Sequence, residues 1–277
     1  MASYNAISTE KLVRLIGTPK GPVVIDVRDD EDFAAQPLLL PTSFRRPYAD
    51  VQQWAAAYRG QWVVVVCQKG KKLSEGVAAW LRNTGAEAES LEGGFEAWQA
   101  ASLPVVPVAA LPGEDANGGT VWVTRSRPKI DRIACPWLIR RFVDPAATFL
   151  FVAAPEVEAV ADRFGATPFD VENVFWSHRG EDCTFDTMVK EFGLSFPALQ
   201  HLALIVRAAD TDRLDLVPEA AGLLAASLGL SRMFADDLEQ LEAGMTLYDA
   251  FYRWARDATQ EKHEWVQHVA KKAKDNE

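Results

Sequence analysis

The stretch VVVVCQKGKKLSEGVAAWL, Val63 to Leu81, decides how the first part of this chain folds. Four β-branched residues in succession, apolar without a period of two, read as a strand buried on both faces. From Ser74 onward Val77, Ala78 and Leu81 recur at helical spacing, so a helix follows. Cys67 therefore ends a strand and begins a loop. That loop, Gln68 to Leu73, holds one glycine and three lysines and runs into a helix N-terminus. Its backbone N–H groups and the positive end of the helix dipole converge on the sulfur, a setting that favours the thiolate.

The flanking text alternates in the same way. Ser8 and Thr9 precede EKLVRLI, a helix ending near Gly17, and PVVIDVR is a second buried strand from Pro22 to Val27. Helices are expected over residues 29–35, 50–58, 74–83 and 95–101, and strands over 62–66 and 88–91. Continuous apolar strands between helices indicate an α/β domain, a parallel sheet with helices on both faces, over residues 1–106. Residues 107–119, within PVVPVAALPGEDANGG, have no period and read as a linker. A second domain, residues 120–260, is expected to be α+β and mostly helical. It has strands at TVWVTR and TFLFVA, helices at 136–143 and 156–164, an extended piece at 174–178, and helices at 196–209, 219–227 and 236–256. Residues 261–277, ending KKAKDNE, read as a solvated tail.

The composition of the 277 residues, 48% hydrophobic and 25% charged, is that of a globular protein. A formal charge of −10 argues against a general affinity for nucleic acid or an anionic membrane, which need a basic face. MASYNAISTEK lacks the basic and apolar regions of a leader, no stretch has the length of a membrane span, and a cytoplasmic location is expected. Three cysteines, Cys67, Cys135 and Cys183, are a poor disulfide framework, so each is weighed as a free thiol or a metal ligand. Nine tryptophans are compatible with a homodimer.

Three motifs, IDVRDDEDF, the VVVVC loop with its C-x-x-G start, and LEGGFEAWQAASLPVV, together resemble a single-domain rhodanese over residues 5–106. The resemblance implies a sulfurtransferase in which Cys67 takes a sulfane sulfur from a small anionic donor, holds it as a persulfide and passes it to a thiol or another nucleophilic acceptor, with no cofactor. It places Gln68, Lys69, Gly70, Lys71, Lys72 and Leu73 around the substrate, and Asp26 and Arg28 beneath the loop as support. Gly93, Gly94 and Trp98 match a structural signature. Two departures stand out: QPLLLPTSFRRPY replaces the family's G-H-I-P-G-A, and the loop counts one residue longer than in ordinary sulfurtransferases. Relatives acting on phosphate or arsenate have such a loop, so an oxyanion is the other candidate ligand; those relatives place arginine where this chain has a lysine pair.

The segments DRIACPWLIRRFVDP, FDVENVFWSHRGEDCTFDTM, LALIVRAADTD and LYDAFYRWAR resemble the C-terminal domain of the chromate-resistance family whose members act as chromate-responsive regulators. The resemblance implies a role in chromate or related oxidative stress, either beside a sulfurtransferase or as a non-catalytic sensor. Read from the residues, Cys135 before Pro136 is expected at a helix cap with Arg132 close by, as a pocket residue or a simple cap. His178 and Cys183, across a glycine turn, can reach one transition metal such as iron or zinc, or alternatively pack as a turn. Asp210 needs a partner if buried, Arg207, Arg213 or a metal, and completes the expected ligand set. Asp186 and His201 are alternates, His201 reading first as a core histidine and only second as a ligand.

Overall fold

The structure, a computed structural model, describes residues 5–115 and 118–261. The first sheet has five strands in the order Ala6–Ile7, Glu87–Leu91, Trp62–Val66, Val23–Asp26 and Ser43–Arg45. Every neighbouring pair is parallel. Val63, Val64, Val65 and Val66 are each fully buried because helices cover both faces of the central strand, and each such side chain contributes ~1.5–3 kcal/mol. Helices Thr9–Leu15 and Gly94–Ala100 cover the face of Val64 and Val66, and Lys72–Asn83 with Val51–Trp54 covers that of Val63 and Val65. The α/β reading is met, with the helix after Cys67 starting two residues before Ser74.

Residues 107–119, read as a linker, are partly built into the fold. Val106–Pro107 pairs antiparallel with Leu38–Leu39, Val108–Ala110 forms a 3-10 turn, and Ala110 and Leu111 pack on the core. Apolar side chains in the segment find a surface, which its missing periodicity could not reveal. The same core continues into the second half, joining Leu12, Phe95 and Trp98 to Trp122, Phe142 and Tyr252. Gly17 is held against the Phe142 ring, and Thr42 N–H donates to the Phe142 carbonyl at 2.8 Å.

The second sheet is small and wholly parallel, in the order Thr167–Pro168, Val121–Arg125, Thr148–Val152. Helices Asp131–Leu138, Val157–Phe164, Thr184–Glu191, Pro197–Asp210, Glu219–Met233 and Asp237–Asp257 make this half mostly helical. One expectation is corrected: Cys135 is not a cap. The helix begins at Asp131, and Pro136 lies inside it. Tertiary anchors override the local preference of proline for a first turn, since Tyr248 Oη donates to the Ile130 carbonyl (3.0 Å) and Gln240 Nε2 to the Pro128 carbonyl (2.5 Å). A π-turn, Ile139–Val143, follows the proline. The extended piece at 174–178 makes one bridge, Phe169 to Trp176, and no strand. Residues 262–277 of the expected tail lie outside the described residues. Among the described residues no helix is long and apolar enough to cross a membrane.

Candidate functional sites

Cys67 stands at the C-terminal end of the central strand and is 4% exposed. Its Sγ accepts the Lys71 N–H at 3.4 Å and lies 3.1 Å from Ser74 Oγ. Ser74 Oγ is also 3.2 Å from the Lys71 carbonyl, so the start of the helix and the sulfur are tied together. Of the loop amides expected to converge on the sulfur, Lys71 is the one that reaches it at rest. Lys69, Lys71 and Lys72 are exposed around the mouth and pair with no described carboxylate, leaving three cations for an incoming anion.

The loop keeps its shape through backbone contacts. Gly70, with φ +64, sits so close to the Leu91 carbonyl and the Gly93 and Gly94 nitrogens that a side chain there has no room. The carbonyls of Cys67 and Gln68 accept from Phe95 (2.9 Å) and Glu96 (3.0 Å). Below, Arg28 is buried, donating from Nε to Asp26 Oδ2 (2.8 Å), from Nη1 to the Gln36 carbonyl and from Nη2 to the Leu38 carbonyl, with its guanidinium 3.8 Å from the Phe95 ring centre. Asp26 and Arg28 thus brace the residue whose amide holds the Cys67 carbonyl. They touch no part of the sulfur.

In the second half, four groups meet: Asp131 opens the helix Asp131–Leu138, Asp170 and His178 lie in the connection before Thr184–Glu191, and Asp210 ends Pro197–Asp210. His178 Nε2 lies 3.5 Å from Asp131 Oδ2, 3.4 Å from Asp170 Oδ1 and 3.3 Å from Asp210 Oδ2. Asp131, Asp170 and His178 each offer a ligand atom, all within 4.8 Å of one another. Asp131 Oδ2 accepts the Thr184 N–H (2.6 Å), Asp170 Oδ1 accepts Thr184 Oγ1 (2.9 Å), and Arg132 Nε pairs with Asp170 Oδ2 (3.2 Å). Burial pushes the Asp131 carboxyl well above its ordinary range, and Asp210 and Asp170 push the same way against the pull of His178 and the Cys183 thiol. Hydrogen bonds to Asp170 and Asp210 push His178 up to about 10, against its desolvation.

The structure brings together His178 and Asp210, two of the three expected ligands, and adds Asp131 and Asp170, which the sequence reading missed; the pairing of His178 with Cys183 that the spacing suggested is not formed. The available signal was weak: an aspartate opening an apolar helix in KIDRIAC, and another after TPF. Cys183 adds no ligand atom to that group. It caps Thr184–Glu191 with its thiol buried, its own N–H donating to Asp186 Oδ2 at 3.1 Å. Asp186 otherwise faces Arg207 Nε at 3.6 Å. Arg207 pairs with Asp182, and Arg213 with Asp215, so neither serves Asp210; the histidine does. Cys135 is fully buried, and burial raises both its thiol and that of Cys183. His201 packs on the Trp254 ring, away from the group.

Comparison with known proteins follows the same division. Residues 8–101 match the rhodanese-like domain family, and residues 122–255 match the C-terminal domain of ChrB. The chain thus carries a rhodanese-like domain at residues 8–101 and a ChrB C-terminal domain at residues 122–255. Protein ChrB of Cupriavidus metallidurans is 33% identical over 135 residues, 48% of this chain and 40% of that protein, so the chain spans well under two thirds of its curated relative. Among solved structures, a rhodanese-related protein from Thermoplasma volcanium is 24% identical, covering 37% of this chain and 98% of that one, with a TM-score of 0.33. A rhodanese-like domain protein from Staphylococcus aureus is 26% identical over 34% of this chain and 90% of that one, with a TM-score of 0.31.

Proposed function

We propose that the first domain transfers sulfane sulfur through a persulfide on Cys67, and that the second serves resistance to chromate or related oxyanion stress. The observation that carries the first part is the Cys67 sulfur held by the Lys71 amide at the end of the central strand, beneath three lysines that pair with no carboxylate among the described residues. In the first step the thiolate attacks the outer sulfur of thiosulfate, a Cys–S bond to that sulfur forms, and sulfite leaves with the electrons of the broken S–S bond. In the second, cyanide or a thiolate attacks the outer sulfur and Cys67 departs as thiolate. The loop amide and the helix N-terminus stabilise both anionic forms, and the lysines draw in the donor.

The ChrB relationship of residues 122–255 supports the second part. Purified protein given thiosulfate and cyanide is expected to release thiocyanate, with Cys67→Ser inactive. An inert wild type would remove the transferase reading and leave the domain as the thiol-bearing part of a non-catalytic stress sensor.

A further inference from the structure

The meeting of Asp131, Asp170, Asp210 and His178 does not serve sulfur transfer and needs its own explanation. One imidazole nitrogen stands at 3.3 to 3.5 Å from three carboxylate oxygens, and a single N–H can satisfy one of them. Asp131 is 1% exposed; its Oδ2 faces His178 and accepts the Thr184 N–H, and its Oδ1 has no hydrogen-bond partner among the described residues. A buried carboxylate oxygen without a donor is costly and points to a ligand. We infer that Asp131, Asp170 and His178, with Asp210 beside them, bind one divalent first-row transition ion, manganese or iron(II), with a coordination position open to a small anion.

The spacing fits. Donor atoms bound at about 2.1 Å to one ion are separated by about 3.0 Å when adjacent in an octahedron, about 3.4 Å in a tetrahedron and about 4.2 Å when opposite in an octahedron; His178 Nε2 stands 3.5 and 3.4 Å from Asp131 and Asp170, and the three ligand atoms lie within 4.8 Å of one another. The donor types fit as well. Carboxylate oxygens with one imidazole suit manganese or iron(II), whereas the thiolate set expected for structural zinc is missing because Cys183 and Cys135 keep buried thiols outside the group.

The surrounding backbone holds the ligands before any ion arrives. Ile130, a β-branched residue, has φ 37 immediately before Asp131, and Asp170 has φ 51. Such conformations persist only where the surroundings over-determine them, and here Tyr248 and Gln240 clamp the Pro128–Ile130 turn while Thr184 bridges Asp131 and Asp170. Access is from one side. His178 is 42% exposed and, with Asp170, Ser177 and Arg125, lines an open cleft of ≈1270 Å³. Arg125 stands 3.7 Å from Asp170 Oδ2 and remains half exposed, placed to meet an anion bound at the ion.

The test uses the full chain made without a histidine tag, stripped with a chelator and titrated with manganese(II), anaerobic iron(II) and zinc(II) by calorimetry, with elemental analysis of the protein as purified. The expected result is one manganese or iron ion per chain, affinity lowered tenfold or more in Asp131→Asn and in the half-exposed His178→Gln, and binding unchanged in His201→Gln, whose ring packs on Trp254. Both metal-site variants keep thiocyanate formation, and Cys67→Ser keeps metal binding, so failure of this inference and failure of sulfur transfer are separate results. Wild type that binds neither manganese nor iron, or a His201→Gln loss equal to that of Asp131→Asn, overturns it.

Discussion

Replacing Gly94 by alanine tests how the Cys67 loop is held. Gly94 has φ +61, and a methyl group there would overlap the Cys67 carbonyl oxygen and the Gly70 nitrogen and stand 2.9 Å from the Gln68 carbonyl carbon. The left-handed backbone alone costs alanine about 1–2 kcal/mol. The overlapped atoms are backbone and cannot swing aside, so the loop must shift, which adds about 1–3 kcal/mol. That shift would weaken the Phe95 and Glu96 N–H bonds to the Cys67 and Gln68 carbonyls. Gly94→Ala is expected to lose about 3 kcal/mol in urea unfolding and most of its thiocyanate formation. Gly76→Ala is the matched control. It lies in Lys72–Asn83 with nothing within 4 Å of a Cβ and no positive φ, so alanine should stabilise by ~0.5–1 kcal/mol and leave turnover alone. Wild-type stability and turnover in Gly94→Ala would refute the packing of the loop on the Gly93–Gly94 turn.

Other substitutions probe the remaining supports. Arg28→Lys keeps the charge but loses the fork that joins Asp26 to two carbonyls and the stacking on Phe95, and should lower stability by about 2–3 kcal/mol with turnover falling in parallel; unchanged unfolding would deny Arg28 its bracing role. Asp249→Ala strands the Arg141 guanidinium, now bonded twice at 2.8 Å, and the Trp137 indole N–H, at a cost of ~2–3 kcal/mol read from the urea midpoint at constant slope. Gly17→Ala drives a methyl into the Phe142 ring at φ +76 and should destabilise by about 2 kcal/mol, a loss partly restored by Phe142→Leu; no loss would mean that the two halves do not share this contact.

The first domain was legible because its strands are continuous apolar runs. Trp62 to Val66 has no polar residue to place it on a surface, and the cysteine that follows has only the loop to enter. Gly93 and Gly94 were marked by the family signature, and the structure shows why Gly70 and Gly94 must be glycine: there the loop and the later turn touch backbone to backbone. The second site was only half legible. His178 and Asp210 drew attention as a histidine beside a glycine turn and an aspartate ending an apolar helix, but their partners Asp131 and Asp170 are set by three-dimensional closure through Thr184, Tyr248 and Gln240. No spacing rule connects those positions. The same closure moved the helix start to Asp131 and turned Cys135 from a cap into a core residue, against the local preference of Pro136. Residues 107–119 misled for a related reason: small apolar residues and prolines read as a tether until a surface exists for them to pack on.

The most direct test of the central claim is the intact mass of the purified chain after thiosulfate treatment under non-reducing conditions. The expected result is a gain of one sulfur atom on wild type, mapped to Cys67 in the peptide spectrum, removed by cyanide with matching thiocyanate release, and missing from Cys67→Ser. No gain on wild type, or an equal gain in the variant, would contradict a persulfide on Cys67.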